Sequence, residues 1–253
     1  DDMLPVWPSA YPFAMTYDFF TYAGAPGAYN LALGAGAGVY WQSNDFSVST
    51  SYLSTSGNDS NPNTGGIATD GAGSSATTQI AYAPENWGVA AAYTYASDIA
   101  ADACFLYQGN ATPGAETASC AESTDSFGLS AWWMPEESGW IPSVSAGYGG
   151  TWAEITDEDV YTNSWYIGLE WSDAFIDGNS LGFAVGQPTW IADSDIDDGE
   201  EEAGFAYEAF YKFQVTDNIS ITPAITYLSK PFPAQDSDGL SAFSGLIKTQ
   251  FKF

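Results

Sequence analysis

Hydrophobic and polar residues alternate with a period of two along much of this chain, in segments of about ten residues separated by turn residues. Such alternation places successive side chains on opposite faces of an extended strand. In segment 205–215 one face carries Phe205, Tyr207, Ala209, Tyr211, Phe213 and Val215, and segments 218–228 and 161–171 repeat the pattern. Sustained apolar stripes of helical period are absent, so the pattern predicts an all-β fold.

Breaks in the alternation divide the chain into about twelve predicted strands. They fall near 12–23, 29–41, 45–54, 76–83, 87–97, 125–134, 140–152, 160–171, 180–191, 204–215, 218–229 and 242–253. Pro188 and Pro223 lie inside two of these strands, where a proline disturbs local pairing.

The connections between these strands alternate between short and long. Tight turns are predicted at 42–45, 84–86, 135–138, 172–179 and 216–218, and longer polar stretches at 56–74, 98–124, 153–160, 193–203 and 229–241. Antiparallel barrels of the outer membrane have short periplasmic turns and long external loops in this rhythm. The pattern therefore predicts a transmembrane antiparallel β-barrel, with apolar faces toward lipid and polar faces toward water.

Composition agrees with a membrane barrel. Aromatic residues make up 16% of the chain and charged residues only 14%, whereas soluble domains average about 25% charged residues. No run approaches the roughly 20 apolar residues of a membrane helix, which leaves a closed barrel as the spanning structure. The alternative is a secreted or surface-attached β-sandwich glycan-binding module, which would bury one strand face in a dry core.

The charge balance excludes several classes of function. The chain has 32 acidic residues, four lysines, no arginine and no histidine, for a net charge of −28. Nucleic-acid binding needs basic residues to neutralise phosphates, so it is excluded. Without histidine, most transition-metal sites and the Ser-His-Asp and Cys-His systems cannot form. A Ser-Lys arrangement or a carboxylate pair would still be chemically possible, but no catalytic constellation stands out in the sequence, so we expect neither an enzyme nor a cofactor.

The two cysteines, Cys104 and Cys120, lie in one polar segment, and in an exported protein we expect them to form a disulfide. The surrounding segment, 98–124, either folds into the channel and narrows it or caps it from outside. The chain opens with Asp1-Asp2, which we interpret as a processed or truncated start.

The inner face of the predicted barrel contains small and polar residues with few charges. The candidate pore-lining residues are Glu170, Glu208, Lys212, Gln214, Lys248 and Gln250. Most other carboxylates fall in connections, where they form a predicted acidic mouth: Asp157, Asp159, Asp193, Asp195, Asp197, Asp198 and Glu200. A field of one sign concentrates counter-ions, so we expect a preference for cations. The spacing of 193–200 misses the calcium-loop pattern, so loosely bound Ca²⁺ is expected rather than an ordered metal site.

Several stretches resemble the carbohydrate-selective (OprB-type) porin family, particularly its cyanobacterial branch. They are the hairpin Tyr207–Ala224, the phrase Leu181–Pro188, the opening Asp2–Pro12 with Tyr22–Tyr29, and the strand that ends at Phe253. A terminal phenylalanine on an alternating strand is similar to the sorting signal of outer-membrane barrels. The resemblance implies an outer-membrane homotrimer, surrounded by lipid, that passes small solutes from sugars to inorganic ions; cyanobacterial members are also labelled iron-uptake porins.

Two departures from the family pattern shape these expectations. Relatives usually have about sixteen strands and an amino-terminal anchor domain, so either this chain lacks the start of its barrel or the count of twelve strands is short. We predict that residues 1–253 are a single barrel domain, the carboxyl-terminal part of a longer precursor. The lack of arginine means that carbohydrate selectivity cannot be carried over, because sugar-selective porins commonly use basic constrictions.

Overall fold

Eleven antiparallel strands form one sheet in a computed structural model that describes residues 14–29, 34–69, 71–97, 122–137, 139–155, 158–194, 204–231 and 240–252. The strands are β1 (Ala35–Ser43), β2 (Phe46–Ser54), β3 (Ser74–Tyr82), β4 (Trp87–Ser97), β5 (Ser123–Trp133), β6 (Ser143–Ile155), β7 (Glu158–Ser172), β8 (Ser180–Ser194), β9 (Ala206–Thr216), β10 (Ile219–Ser229) and β11 (Ser241–Phe251). Each pairs with its neighbours in sequence, and within the described residues β1 and β11 pair on one side only. The all-β prediction is confirmed.

The connections at one end of the sheet are short, as predicted. Asn44 and Asp45 alone join β1 to β2, with Asn44 at a positive φ of 50° that suits the tight hairpin. Asp217 and Asn218 alone join β9 to β10. We call this the short-turn end and the opposite end the long-loop end.

The predicted long connection at 153–160 is wrong. β6 continues to Ile155, β7 begins at Glu158, and their pairing runs out to Ile155 opposite Glu158. Ala153 and Val160 pair within this extension and are both buried. Glu154 and Asp159 are therefore exposed positions of two long strands, and their polarity reflects exposure to water rather than a loop.

The first predicted strand, 12–23, is also wrong. The described part of this region contains a short helix α1 (Asp18–Thr21) and a 3-10 turn at Pro26–Tyr29. Phe19 and Phe20 are adjacent and both buried, which does not fit a wall strand with one side toward lipid, and Pro26 has no N–H to pair. Neither helical element of the described residues is long enough to cross a membrane.

The two prolines inside strands are accommodated locally. Pro223 lies in β10 opposite Ile247 of β11. Pro188 lies in β8, where the pairing with β7 becomes irregular between Asn163 and Trp165. A bulge of this kind removes the need for the missing N–H.

Candidate functional site: a channel wall and an inner segment

The outer face of the sheet is apolar and exposed, and its side chains lie in three bands. Aromatic residues cluster near the short-turn end, among them Trp41, Tyr82, Trp87, Trp133, Trp171 and Phe213, and near the long-loop end, among them Tyr95, Trp152, Tyr161, Tyr207, Tyr227 and Phe243. Exposed aliphatic residues, including Ile80, Val89, Leu129, Ile167 and Ile225, lie between them. An apolar band between two aromatic girdles is the lipid-facing surface of an outer-membrane barrel.

The inner face is built from small and polar residues. Buried serines and threonines occur on nearly every strand, including Ser47, Thr77, Thr94, Ser126, Thr151, Ser164 and Thr222. The alternation predicted for 161–171, 205–215 and 218–228 agrees with the observed burial of the two faces. The wall is therefore apolar outside and polar inside.

Residues 14–29, which we call the inner segment, lie against this polar face. The 3-10 turn contacts β4, β5 and β6, and α1 contacts β8. Phe20 and Tyr29 have exposed fractions of 0% and 1%, although they belong to no strand. The segment therefore occupies space that would otherwise be lumen.

The wall contains glycines where the inner segment approaches most closely. An added Cβ at Gly147 would overlap the carbonyl oxygen of Ala23, and one at Gly128 would lie 2.8 Å from the Cβ of Ala25. Gly168 similarly leaves room for the end of Met15. Larger residues at these positions would move the segment into the lumen.

Two wall carboxylates bind the beginning of the inner segment. The Glu208 carboxylate accepts hydrogen bonds from the backbone N–H groups of Thr16 (2.8 Å) and Tyr17 (2.6 Å) and from the Thr16 hydroxyl (3.1 Å). Glu170 accepts one from the backbone N–H of Ala14 at 3.0 Å. Both glutamates are buried, and hydrogen bonds to a charged acceptor are the stronger class. We call this pair the carboxylate clamp.

Neutral hydrogen bonds fix the rest of the inner segment. The hydroxyl of Ser164 donates to the Gly24 carbonyl at 2.7 Å, and that of Thr94 donates to the Ala28 carbonyl at 2.6 Å. The hydroxyl of Tyr29 donates to the side-chain oxygen of Gln79 at 3.0 Å. Burial raises the pKa of Tyr29 far above the ordinary tyrosine value, so this hydroxyl remains a donor at neutral pH.

The other predicted pore-lining residues share one patch of the inner face on β9 and β11. Lys248 is paired with Thr222, while Gln214 and Gln250 both lie opposite Ser220. Lys212 and Lys248 are half-buried, and their charges act on Glu170 and Glu208 respectively. The two lysines are therefore counter-charges of the carboxylate clamp as well as candidate lining groups.

Only part of the predicted acidic mouth can be placed. Asp159 and Asp193 are exposed at the long-loop end, on β7 and β8, where Asp159 lies opposite Glu154 and Asp193 opposite Tyr161. The remaining mouth candidates lie outside the described residues: Asp157, Asp195, Asp197, Asp198 and Glu200. Cys104 and Cys120, with most of 98–124, also lie outside them, so the disulfide and the position of that segment stay predictions.

Alternation of hydrophobic and polar residues did not predict the inner segment or the role of the wall glycines. Their signals were present in the adjacent Phe19 and Phe20, in Pro26, and in glycines that interrupt the inner faces of β5 to β8. Among the described residues, no group of three or more acidic or cysteine side chains is placed to hold a metal ion.

Comparison with known proteins decides the family. Residues 21–253 match the carbohydrate-selective porin, OprB family. This chain belongs to the OprB family of porins. The outer-membrane location predicted for it, and the prediction that it is not an enzyme, are confirmed by this membership.

Individual relatives support the same assignment. An uncharacterized protein of Nostoc sp. is 30% identical to this porin over 243 residues, and one of Synechocystis sp. is 28% identical over 246 residues. These matches cover 91% and 87% of this chain but only 40% and 43% of the relatives. The chain thus spans less than half the length of the curated relatives it matches.

Solved porins share the fold of this porin. The high-pH structure of Pseudomonas putida OprB superposes with a TM-score of 0.54 and 15% identity, covering 88% of this chain and 60% of that one. A second porin structure gives a TM-score of 0.52 and 14% identity, covering 86% and 61%. Since the aromatic rows are exposed and the fold is that of porins, the β-sandwich alternative is not supported.

Proposed function

We propose that this porin lets small hydrophilic solutes diffuse across the outer membrane through a passage that the inner segment narrows. The observation that carries the proposal is the carboxylate clamp on a polar inner face, in a wall whose outer face has an exposed apolar band between aromatic rows. A segment fixed by charged hydrogen bonds on the wall reduces the cross-section without closing it to water. Small sugars and inorganic ions are the solutes expected from the family name and from the passage itself.

We further propose that the passage favours cations. Asp159 and Asp193 are exposed at the long-loop end of a chain whose net charge is −28. Such a field raises the local concentration of cations at the entrance. Lys212 and Lys248 work against this preference deeper in the wall, but the clamp carboxylates offset their charges.

The working unit is proposed to be a homotrimer whose barrels contain more strands than the eleven described. Among the described strands, β1 and β11 each pair with a neighbouring strand on one side only, and an open sheet edge is not tolerated in lipid. Residues 1–253 would then be the carboxyl-terminal part of a single barrel domain, with about five more strands if the family count of sixteen applies. Loosely bound Ca²⁺ at the acidic connections remains a prediction.

Planar-bilayer recording of the full-length protein tests the proposal. We expect discrete conductance steps, and a reversal potential in a KCl gradient that has the sign of cation preference. Anion preference would overturn the acidic-entrance proposal while leaving the porin intact. The absence of any conductance from correctly inserted protein would overturn the passage itself.

A further inference from the structure

Two connections at the short-turn end present large apolar side chains to the surroundings. Trp140 and Ile141, between β5 and β6, have exposed fractions of 97% and 64%. Phe175 and Ile176, between β7 and β8, have exposed fractions of 87% and 61%. We call these four side chains the rim patch. Apolar side chains grouped in this way on a surface mark an interaction site.

Both connections fold toward the outer face of the wall. The indole N–H of Trp171, on the outer face of β7, donates to the Trp140 carbonyl at 3.0 Å. The hydroxyl of Tyr211, on the outer face of β9, donates to the Ala174 carbonyl at 2.7 Å. The rings of Phe175 and Tyr211 stack with their centroids 6.2 Å apart. The rim patch therefore extends the lipid-facing surface beyond the aromatic girdle at the short-turn end.

The backbone around Phe175 is built to hold its ring outward. Phe175 has a φ of +65° and Asp173 a φ of +55°, in the left-handed region that a bulky residue rarely occupies. The turn is held by the Asp173 carboxylate, which accepts from the Gly178 N–H at 2.7 Å, and by the amide of Asn179, which donates to the Tyr211 hydroxyl at 3.0 Å. Glycine would adopt the same φ without strain, so a phenylalanine here points to a use for the ring.

We propose that the rim patch inserts into the boundary between headgroups and acyl chains of the periplasmic leaflet and fixes the depth of the barrel in the membrane. The partner is the lipid surface, because the patch is continuous with the face that already contacts lipid. Tryptophan and other aromatic rings favour this interfacial region. The exposed carboxylates of the same connections, Glu136, Glu137, Asp173 and Asp177, keep the turns at headgroup level and disfavour anionic lipid.

Depth-dependent fluorescence quenching tests the proposal directly. The full-length protein and its Trp140→Phe variant are reconstituted in phosphatidylcholine vesicles whose acyl chains are brominated close to the glycerol, and the difference spectrum isolates Trp140. We expect blue-shifted Trp140 emission that brominated lipid quenches and aqueous iodide does not. Emission typical of water, quenched by iodide alone, would overturn the proposal.

A double variant tests the anchoring role. Trp140→Ser with Phe175→Gly removes the two rings, and the glycine also relieves the strained φ, so the turn itself should still form. We expect a drop on the order of tenfold in the ratio of folded to unfolded protein in vesicles. The control is Ile67→Ser, a comparably exposed apolar residue (59%) in the β2–β3 connection at the opposite end, which should leave the ratio unchanged.

Oligomer state separates lipid from protein partners. The double variant should retain the oligomer size of the parent protein in mild detergent. Loss of the oligomer would show that the rim patch is an interface between copies of the protein. An unchanged ratio of folded to unfolded protein would show that the patch does not anchor the barrel in the membrane. Either result overturns the proposal. Conductance is not the readout, so this test stands apart from that of the passage.

Discussion

Replacing Glu208 by glutamine should loosen the inner segment without changing the shape of the wall. Glu208 accepts hydrogen bonds from the Thr16 N–H, the Tyr17 N–H and the Thr16 hydroxyl. Glutamine keeps one acceptor oxygen, which can take the position that faces the Tyr17 N–H and the Thr16 hydroxyl. Its NH₂ group then meets the Thr16 N–H as another donor, so one hydrogen bond to a charged group is lost and the other two become neutral.

The size of the effect follows from these contacts. Hydrogen bonds to charged groups contribute about 1.5–3 kcal/mol each, and water in the lumen would replace part of what is lost. If the free energy of docking of the inner segment is weakened by about 2 kcal/mol, the population with a detached segment rises about 30-fold. Glu170→Gln changes a single backbone contact, that of the Ala14 N–H, which the amide oxygen can still accept without the charge, so its effect should be smaller.

Single-channel recording measures this change. We expect Glu208→Gln to give a larger mean conductance with additional open levels, and Glu170→Gln to give an intermediate value. Glu136→Gln, at an exposed carboxylate of a short turn, makes the same charge change away from the segment and should match the parent protein. If Glu208→Gln and Glu136→Gln have the same conductance, the clamp does not hold the inner segment in the lumen.

Three further predictions concern the wall and the entrance. Gly147→Ala should displace the inner segment and destabilise the protein by about 1–3 kcal/mol in urea unfolding. Gly245→Ala should leave the stability unchanged, because the nearest atom to its added Cβ is the Ala224 carbonyl oxygen at 4.0 Å. Equal stabilities of the two variants would refute the close contact between the inner segment and Gly147. Asp193→Asn should move the reversal potential toward anions and Lys248→Gln toward cations, and shifts in the same direction would contradict the charge assignment. Because burial raises the pKa of Tyr29, its neutral form stabilises docking of the inner segment up to about pH 10, and docking weakens above that pH. The conductance should therefore be constant from neutral pH to about pH 10 and rise at higher pH. A rise in conductance near neutral pH would contradict this prediction.

Period-two alternation was sufficient to predict the wall, because each strand faces lipid on one side and polar surroundings on the other. The segments around Tyr207, Ile225 and Ile167 have the predicted faces, and eleven of the twelve predicted strands are present. The predicted strand ends were wrong where exposed acidic residues of a strand looked like those of a loop, as beside Val160. Beyond the membrane the outer face of a strand meets water instead of lipid, as at Glu154 and Asp159, so its residues are polar like those of a loop.

The contents of the barrel could not be predicted in the same way. Glu170 and Glu208 were identified as inner-face residues, but their partners are backbone N–H groups of Ala14, Thr16 and Tyr17. Backbone donors leave no mark in the sequence, and the contacts span more than 150 positions along the chain. Glycines such as Gly147 show where space is needed but not what fills it.

The strand order also has a kinetic consequence. Every strand pairs with its neighbour along the chain, so the wall can grow hairpin by hairpin with little loop entropy to overcome at each step. The inner segment is different, because Thr16 reaches its acceptor on β9 across 192 positions. The first part of this chain to be synthesised is therefore among the last to reach its native contacts, and the lumen is at its widest while the wall is still assembling.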